Sequence, residues 1–303
     1  MTRLALLLAS LLVALSAAAC GGAGASPAAG GPVRVVTTIT ILADMVAQVG
    51  GDHVTVESLV RKGGEVHTFD PTPADVRRVT EAQLIVRNGL GLDDWLTHLI
   101  RNSGSTAPIV VAGEDLPGVT YLGGKPGGGA VNPHVWLNAA YGALYADRIA
   151  DSLAAVDPAH AADYRAGAAA YGETLRGIDA DAKGRLGAIP EANRTVISFH
   201  DAFPYFAAAY GLTIDGTIVD APGQDPSASQ VAALVDLVRA KGIKAIFAEA
   251  QFNDDLARAI GRETGATVVS DLYTDTLGDA PVDTYAGMLR ADVDKVVAAL
   301  GGG

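Results

Sequence analysis

The sequence is short of cysteine, of basic residues and of long apolar runs, and each shortage removes a class of function. Cys20 is the only cysteine among 303 residues, so no disulfide can form within the chain. Lysine and arginine number 22 against 34 aspartates and glutamates, a formal net charge of −12. That balance argues against a nucleic-acid partner, because phosphate binding needs a basic face. Beyond the amino-terminal region, no stretch is apolar and long enough to span a bilayer. The His-Glu-x-x-His arrangement of a zinc hydrolase is also missing, and no short-period repeat is visible. A core is nonetheless well supplied. Hydrophobic residues make up 49% of a chain long enough for two ordinary domains, which argues against global disorder.

Residues 1–19 read as an export signal. Arg3 provides a positive start, Leu4 to Leu15 is apolar but too short to cross a membrane stably, and small residues lead to Cys20. Two readings follow. In one the signal is an ordinary secretory one and the cysteine is incidental. The preferred one is a lipoprotein signal cleaved before Cys20, which then carries lipid and holds the protein at the outer face of the cytoplasmic membrane. This segment resembles the bacterial lipobox, with Ala17 standing where leucine is usual. Residues 20–32, rich in Gly, Ala, Ser and Pro, read as a flexible tether.

From Pro32 short β-branched runs alternate with amphipathic stretches. Strands are expected at Val33–Thr38, Val54–Leu59, Leu84–Arg87 and Ile109–Ala112, with helices at Ile39–Val49, Pro73–Thr80 and Asp93–Arg101. Alternation of this kind implies an α/β fold with parallel sheets joined by right-handed crossovers. The middle is helical and free of strands: Asn138–Asp157, then Pro158–Leu186 with Tyr164, Ala168, Tyr171, Leu175 and Ile178 at helical spacing. Alternation then resumes, with strands at Thr195–Phe199, Thr213–Ile218, Ala245–Ala248 and Thr267–Ser270. Helices are expected at Ala202–Tyr210, Ser227–Lys241, Asp254–Thr264 and Thr284–Leu300. The expected architecture is two similar α/β lobes, residues 33–157 and 188–303, bridged by one long rigid helix at 158–187.

Six histidines are present, and three follow predicted strands, where open α/β sheets place their ligands. They are His67 in Gly-Gly-Glu-Val-His-Thr-Phe-Asp, His134 in Asn-Pro-His-Val-Trp-Leu-Asn and His200 in Ile-Ser-Phe-His-Asp. Asp275, in Tyr-Thr-Asp-Thr-Leu-Gly, is the carboxylate candidate. Neutral imidazoles with one carboxylate suit Zn²⁺ at ~2.0–2.2 Å. A single histidine in such a loop is more often structural, and the four are not spaced as a compact zinc motif. Spacing alone leaves both readings open. His53, His98 and His160 are assigned to solvent, and Asp201 to helix capping. Asp271 sits at a strand end, and Glu249 either supports the site from behind or closes a strand. All three acids are left out of the ligand set.

The order of segments resembles the zinc/manganese solute-binding proteins of ABC importers. Ser58–Val76, with its Pro-Thr-Pro-Ala-Asp-Val end, is similar to their first ligand motif, and Asn132–Asn138 to their second. Phe199–Gly211 resembles the third, Phe-Ala-Glu-Ala-Gln-Phe at Phe247–Phe252 a strand that follows it, and Asp275-Thr-Leu-Gly the element carrying the fourth ligand. The resemblance runs from Val33 to Leu300. It implies a metal held in the cleft between two lobes by His67, His134, His200 and Asp275, with delivery to an ABC permease and no enzymatic activity. Manganese-type members have Glu where this chain has His200, so three imidazoles and one carboxylate point to Zn²⁺ as cargo. Mn²⁺ is the alternative; a surface adhesin or a zinc hydrolase stands further off.

The chain departs from the family at Arg61-Lys62, which replace a Pro-containing turn, and at Asn132 and Asn138, which replace aspartates. The loop Tyr121–Val131 lacks the histidines and acids that many zinc-type relatives carry there. It reads either as a plain flexible loop or as a flap allowing handover from a metallochaperone. A monomer is expected. Neutral imidazoles would release few protons on binding near neutral pH and lose metal below ~6.5. Four protein ligands would leave no metal-bound water, and the rigid connecting helix would limit lobe closure.

Overall fold

The computed structural model describes residues 31–123 and 130–301. The expected signal at 1–19, Cys20 and all but the end of the tether lie outside the described residues, as does the centre of the Gly-rich loop, 124–129. No helix among the described residues is long and apolar enough to cross a membrane.

Strands β1 (Val33–Thr37), β2 (Val54–Ser58), β3 (Leu84–Arg87) and β4 (Ile109–Val111) form one parallel sheet in the order β2-β1-β3-β4. A second parallel sheet, β6-β5-β7-β8, repeats that order with β5 (Thr195–Ser198), β6 (Thr213–Thr217), β7 (Ala245–Glu249) and β8 (Thr267–Leu272). Each sheet therefore reverses direction beside its first strand. Such a reversal opens a crevice at the carboxyl ends of the strands, where α/β sheets bind ligands.

Helices α1 (Thr40–Gly50), α2 (Pro73–Glu81) and α3 (Trp95–Ser103) belong to the first lobe. α6 (Pro204–Tyr210), α7 (Ala228–Lys241), α8 (Asp255–Thr264) and α9 (Tyr285–Leu300) belong to the second. Between the sheets run α4 (Ala139–Val156) and α5 (Ala161–Gly187). α5 has 27 residues and spans roughly 40 Å at 1.5 Å per residue. Its stripe Tyr164, Ala168, Tyr171, Leu175 and Ile178 is buried, as the spacing required.

The chain signals explain where elements start. Pro73 opens α2 behind Thr72, whose N–H donates to Asp75 Oδ2 at 2.8 Å, and the Asn138 side chain accepts the Ala140 N–H at the start of α4. Several boundaries differ from expectation: α3 begins at Trp95 and not Asp93, and β8 runs on to Leu272. Pro158–His160 forms a separate 3-10 turn, so α5 begins at Ala161. α6 starts at Pro204, not Ala202, and its cap position is Phe203, which offers no side-chain acceptor. Asp201 is therefore not a helix cap.

One hydrophobic cluster runs without a break from Val35 and Leu42 through Tyr145, Leu175 and Tyr205 to Tyr285 and Leu300. Separate clusters fill the outer faces, around Val79 and Leu99 in the first lobe and Val235 and Ile260 in the second. α9 also reaches across to the first lobe. The Tyr285 N–H donates to Asp44 Oδ2 at 2.9 Å, and its hydroxyl donates to the Trp136 carbonyl. Gly142 makes room for that ring, since a Cβ there would overlap the Tyr285 hydroxyl.

Candidate metal centre

His67 lies in the long loop after β2. Val66 anchors it: fully buried, its carbonyl accepts the Trp95 indole N–H at 3.1 Å, while Phe69 packs on the same indole. The His67 N–H donates to Glu65 Oε1 at 2.7 Å. His134 precedes the 3-10 turn Val135–Leu137. Asn132 Oδ1 accepts its backbone N–H at 3.1 Å and lies 3.0 Å from its Nδ1. An acceptor there places the ring proton on Nδ1 and turns the Nε2 lone pair into the cleft.

His200 stands two residues past β5, its ring edge-on to Phe252. Glu249, the last residue of β7, sits behind it with Oε2 2.7 Å from Nδ1. Asp275 follows β8 in a loop pinned by Trp136, whose indole N–H donates to the Thr274 carbonyl at 2.7 Å.

These four side chains meet. Among the described residues they form the one cluster of three or more such groups with ligand atoms all within 4.8 Å of one another. His134 Nε2 lies 3.3 Å from His200 Nε2 and 3.2 Å from Asp275 Oδ1. Asp275 Oδ2 lies 3.6 Å from the Nε2 atoms of His67 and His200. In a tetrahedral shell with bonds of ~2.0–2.2 Å, ligand atoms are about 3.3–3.6 Å apart. These spacings lie near that range, with the carboxylate meeting the imidazoles through both oxygens, Oδ1 towards His134 and Oδ2 towards His67 and His200. His67 Nε2 and Asp275 Oδ1 are buried without a hydrogen-bond partner, a costly condition unless a cation takes their lone pairs. His134, His200 and Asp275 are almost fully buried, whereas the His67 side chain keeps 21% exposure and marks the solvent side.

Electrostatics corrects one expectation. Burial disfavours charge on His200, but Glu249 and then Asp275 outweigh it and push its pKa up to about 9. Burial lowers the His134 pKa despite the opposing pull of Asp275. Burial opposes ionisation of Asp275 as well, yet His134, His67 and His200 hold its carboxyl well below the ordinary range. At pH 7 the metal-free centre thus holds a proton on His200, with Nε2–H aimed at the His134 lone pair. The imidazoles are not all neutral there, and a metal ion must displace that proton.

The remaining histidines are elsewhere. His98 is exposed beside Arg101. His53 and His160 are not simply solvated: their rings stack with centroids 3.9 Å apart, and each faces a carboxylate, Asp163 at 3.3 Å and Asp157 at 2.6 Å. The pair joins the turn before β2 to the start of α5, a contact with no local sequence signal. Asp201 accepts Asn132 Nδ2, at 2.6 Å through its carbonyl and 3.2 Å through Oδ2, and so ties the His134 segment to the second lobe. Asp271 is outside the cluster, and its carbonyl accepts Lys295.

Glu65, Glu249 and Gln251 surround the cluster without belonging to the expected ligands. Burial and then the Asp275 charge raise the Glu65 pKa. Glu249 is the last residue of β7, and Gln251 lies in the turn that follows it. The stems of the Gly-rich loop pair at Gly123 and Val131, and the Leu122 N–H donates to the Tyr205 hydroxyl at 2.9 Å.

The chain is similar to proteins described as metal-binding. The family described as zinc-uptake complex component A, periplasmic, matches residues 35–299. The iron-binding protein YfeA of Yersinia pestis is 32% identical over 272 residues, covering 88% of this chain and 86% of its own. The metal ABC transporter substrate-binding lipoprotein FimA of Streptococcus parasanguinis is 30% identical over 310 residues, covering 99% of each chain. Among solved structures, the periplasmic zinc-binding protein TroA of Treponema pallidum superposes with a TM-score of 0.82 at 26% identity, over 89% of this chain and 99% of its own.

Proposed function

The chain belongs to the zinc-uptake complex component A family, the non-enzymatic metal-binding substrate proteins of ABC importers, and from that premise we propose that its cargo is Zn²⁺. His67, His134, His200 and Asp275 are the ligands. The observation that carries this reading is the third imidazole: His200 brings a nitrogen donor to a centre whose ligand atoms all lie within 4.8 Å of one another. Three imidazoles and one carboxylate favour a four-coordinate ion of intermediate softness, whereas Mn²⁺ prefers an oxygen-rich shell. Capture proceeds through the His67 side, and displacement of the His200 proton converts the centre from its empty to its loaded charge state.

Protein purified without added metal should hold one zinc per chain, and competition in a metal-buffered solution should rank Zn²⁺ above Mn²⁺ and Fe²⁺. Retention of manganese or iron under that competition would overturn the cargo. That second reading has support in Glu65, whose Oε2 is buried without a partner beside the cluster and could add an oxygen ligand, and in the iron-binding description of YfeA. The same proposal anchors the mature protein through lipid on Cys20, in keeping with the lipoprotein description of FimA. Labelled palmitate should enter the wild-type chain and not Cys20→Ala.

A further inference from the structure

Burial obliges an indole N–H to find an acceptor, and any nearby carbonyl would satisfy it. The chain has two tryptophans, and each donates to the carbonyl of the residue directly before a ligand. Trp95 donates to Val66, ahead of His67, at 3.1 Å, and Trp136 donates to Thr274, ahead of Asp275, at 2.7 Å. That choice of acceptor has a mechanical consequence. A carbonyl and the next Cα lie in one rigid peptide plane, so holding the Thr274 oxygen restrains the plane from which the Asp275 side chain departs. Rotations at Asp275 itself then remain to place its carboxylate.

The two contacts differ in reach. Trp95 opens α3 and His67 follows β2, so their bond lies within the first lobe. Trp136 stands 138 residues from Thr274, and its bond crosses between the lobes. Its ring is fully buried and packs on the His134 imidazole, with centroids 5.2 Å apart. The Trp136 carbonyl accepts the Tyr285 hydroxyl from α9, so the residue is held from the second lobe through its backbone as well. Support at the Asp275 carboxylate is thin by comparison. Apart from the imidazoles, Oδ1 has no hydrogen-bond partner and Oδ2 has the Gln251 amide at 3.3 Å. One indole thus touches the ring of one ligand and holds the backbone of another, whose facing atoms, His134 Nε2 and Asp275 Oδ1, stand 3.2 Å apart.

We propose that Trp136 is a positioning residue of the metal centre: its indole sets Asp275 against His134 across the boundary between the lobes, before an ion arrives. The inference rests on the ligand assignment above and is independent of which metal is the cargo. Trp95 does the same for His67 within one lobe.

The test is a pair of double-mutant cycles on the mature protein, with Zn²⁺ affinity read by chelator competition. Trp136→Phe keeps an aromatic ring and removes the donor; it should weaken zinc binding by about 10- to 100-fold, the range typical for outer partners of metal ligands. Combined with Asp275→Ala it should lose most of that effect, because its target is gone, and combined with His67→Ala it should keep it in full. Trp95→Phe should show the reverse pattern. An equal factor in every background, which a merely structural side chain would produce, would overturn the inference, as would no loss at all. Wild-type affinity in the single variants Asp275→Ala and His67→Ala would instead sink the ligand assignment, and the inference with it. Thermal unfolding of the metal-free proteins establishes that the variants fold. If Trp136→Phe does not, benzothienylalanine at position 136 in the Trp95→Phe protein takes its place, since sulfur there replaces the indole N–H without changing the shape. Its affinity should fall below that of the Trp95→Phe protein carrying tryptophan, and equal affinities would overturn the inference.

Discussion

The two lobes repeat one sheet order, yet they bring different charge to the cleft. The first contributes His67 and His134, one held by its buried neighbour Val66 and the other by the neutral amide of Asn132. The second contributes His200 and Asp275, with the Glu249 carboxylate behind the imidazole. The negative charge of the centre and its mobile proton therefore belong to the second lobe, and the first supplies uncharged donors. On the proposed function, a metal ion would join the halves by replacing the proton on His200.

Breaking the charged half should have the largest effect. Asp275→Ala removes the one carboxylate of the cluster and its charge; zinc affinity in chelator competition should fall more than the about 100-fold that marks the upper range for outer partners. His67→Ala removes a partly exposed donor from the neutral half and should cost less than either Asp275→Ala or His134→Ala. The reverse order would mean that the lobes contribute otherwise than their charges indicate.

Exchanging the groups behind the imidazoles sharpens the comparison. Glu249→Gln keeps the shape and removes the strongest charge acting on His200, so its pKa should fall from about 9 towards the ordinary histidine range and zinc affinity by about 10- to 100-fold. Asn132→Asp places a carboxylate behind His134 and should raise that pKa, which burial now depresses. Histidine proton resonances of the metal-free proteins read both shifts.

The proton on His200 predicts two pH effects. Calorimetry in buffers of different ionisation enthalpy should show about one proton released per zinc at pH 7, declining as pH passes about 9. Affinity should accordingly rise over that interval and level off above it. Stability moves in the opposite sense. The folded pKa of His200 lies above the ordinary value, so its contribution is fully present below ~6.5 and is lost as pH rises through about 9. The metal-free protein should therefore lose up to ~3 kcal/mol across that window, and the zinc-loaded protein should not, because the metal replaces the proton in it.

The smallest effect concerns the contact across the cleft mouth, where Lys62 Nζ lies 3.1 Å from Asp279 Oδ1 and the Gly63 N–H donates to Thr276 Oγ1 at 2.8 Å. Both ends of the ion pair are exposed, so Lys62→Ala should change stability by less than ~1 kcal/mol. If the pair helps to keep the cleft shut, stopped-flow measurement should show zinc leaving the variant faster.

The chain order of strands and helices was legible because each element carries its own period and caps. Leu84–Arg87 is a strand at the expected residues, and the stripe from Tyr164 to Ile178 announces the long helix. The four cluster residues were legible for a related reason: each follows a strand in a segment with a distinct local pattern. Their local signals did not by themselves separate ligands from structural histidines, since convergence depends on contacts between distant segments. The failures have the same origin. Asp201 lies just ahead of a helix and still does not cap it, because Asn132 draws on it from the other lobe. His53 and His160 look solvated in isolation and stack only because the turn before β2 packs against the start of α5.

The amino-acid sequence by itself determined the alternation of elements, the helix that joins the lobes and the chemical identity of the donors, since all of these depend on residues close together in the chain. Tertiary structure alone decided which ring nitrogens face one another, that His200 is charged at neutral pH, and that Gln251 reaches Asp275. Those properties arise from burial and from charges brought together over long stretches of sequence, where Coulomb interactions strengthen as water is excluded.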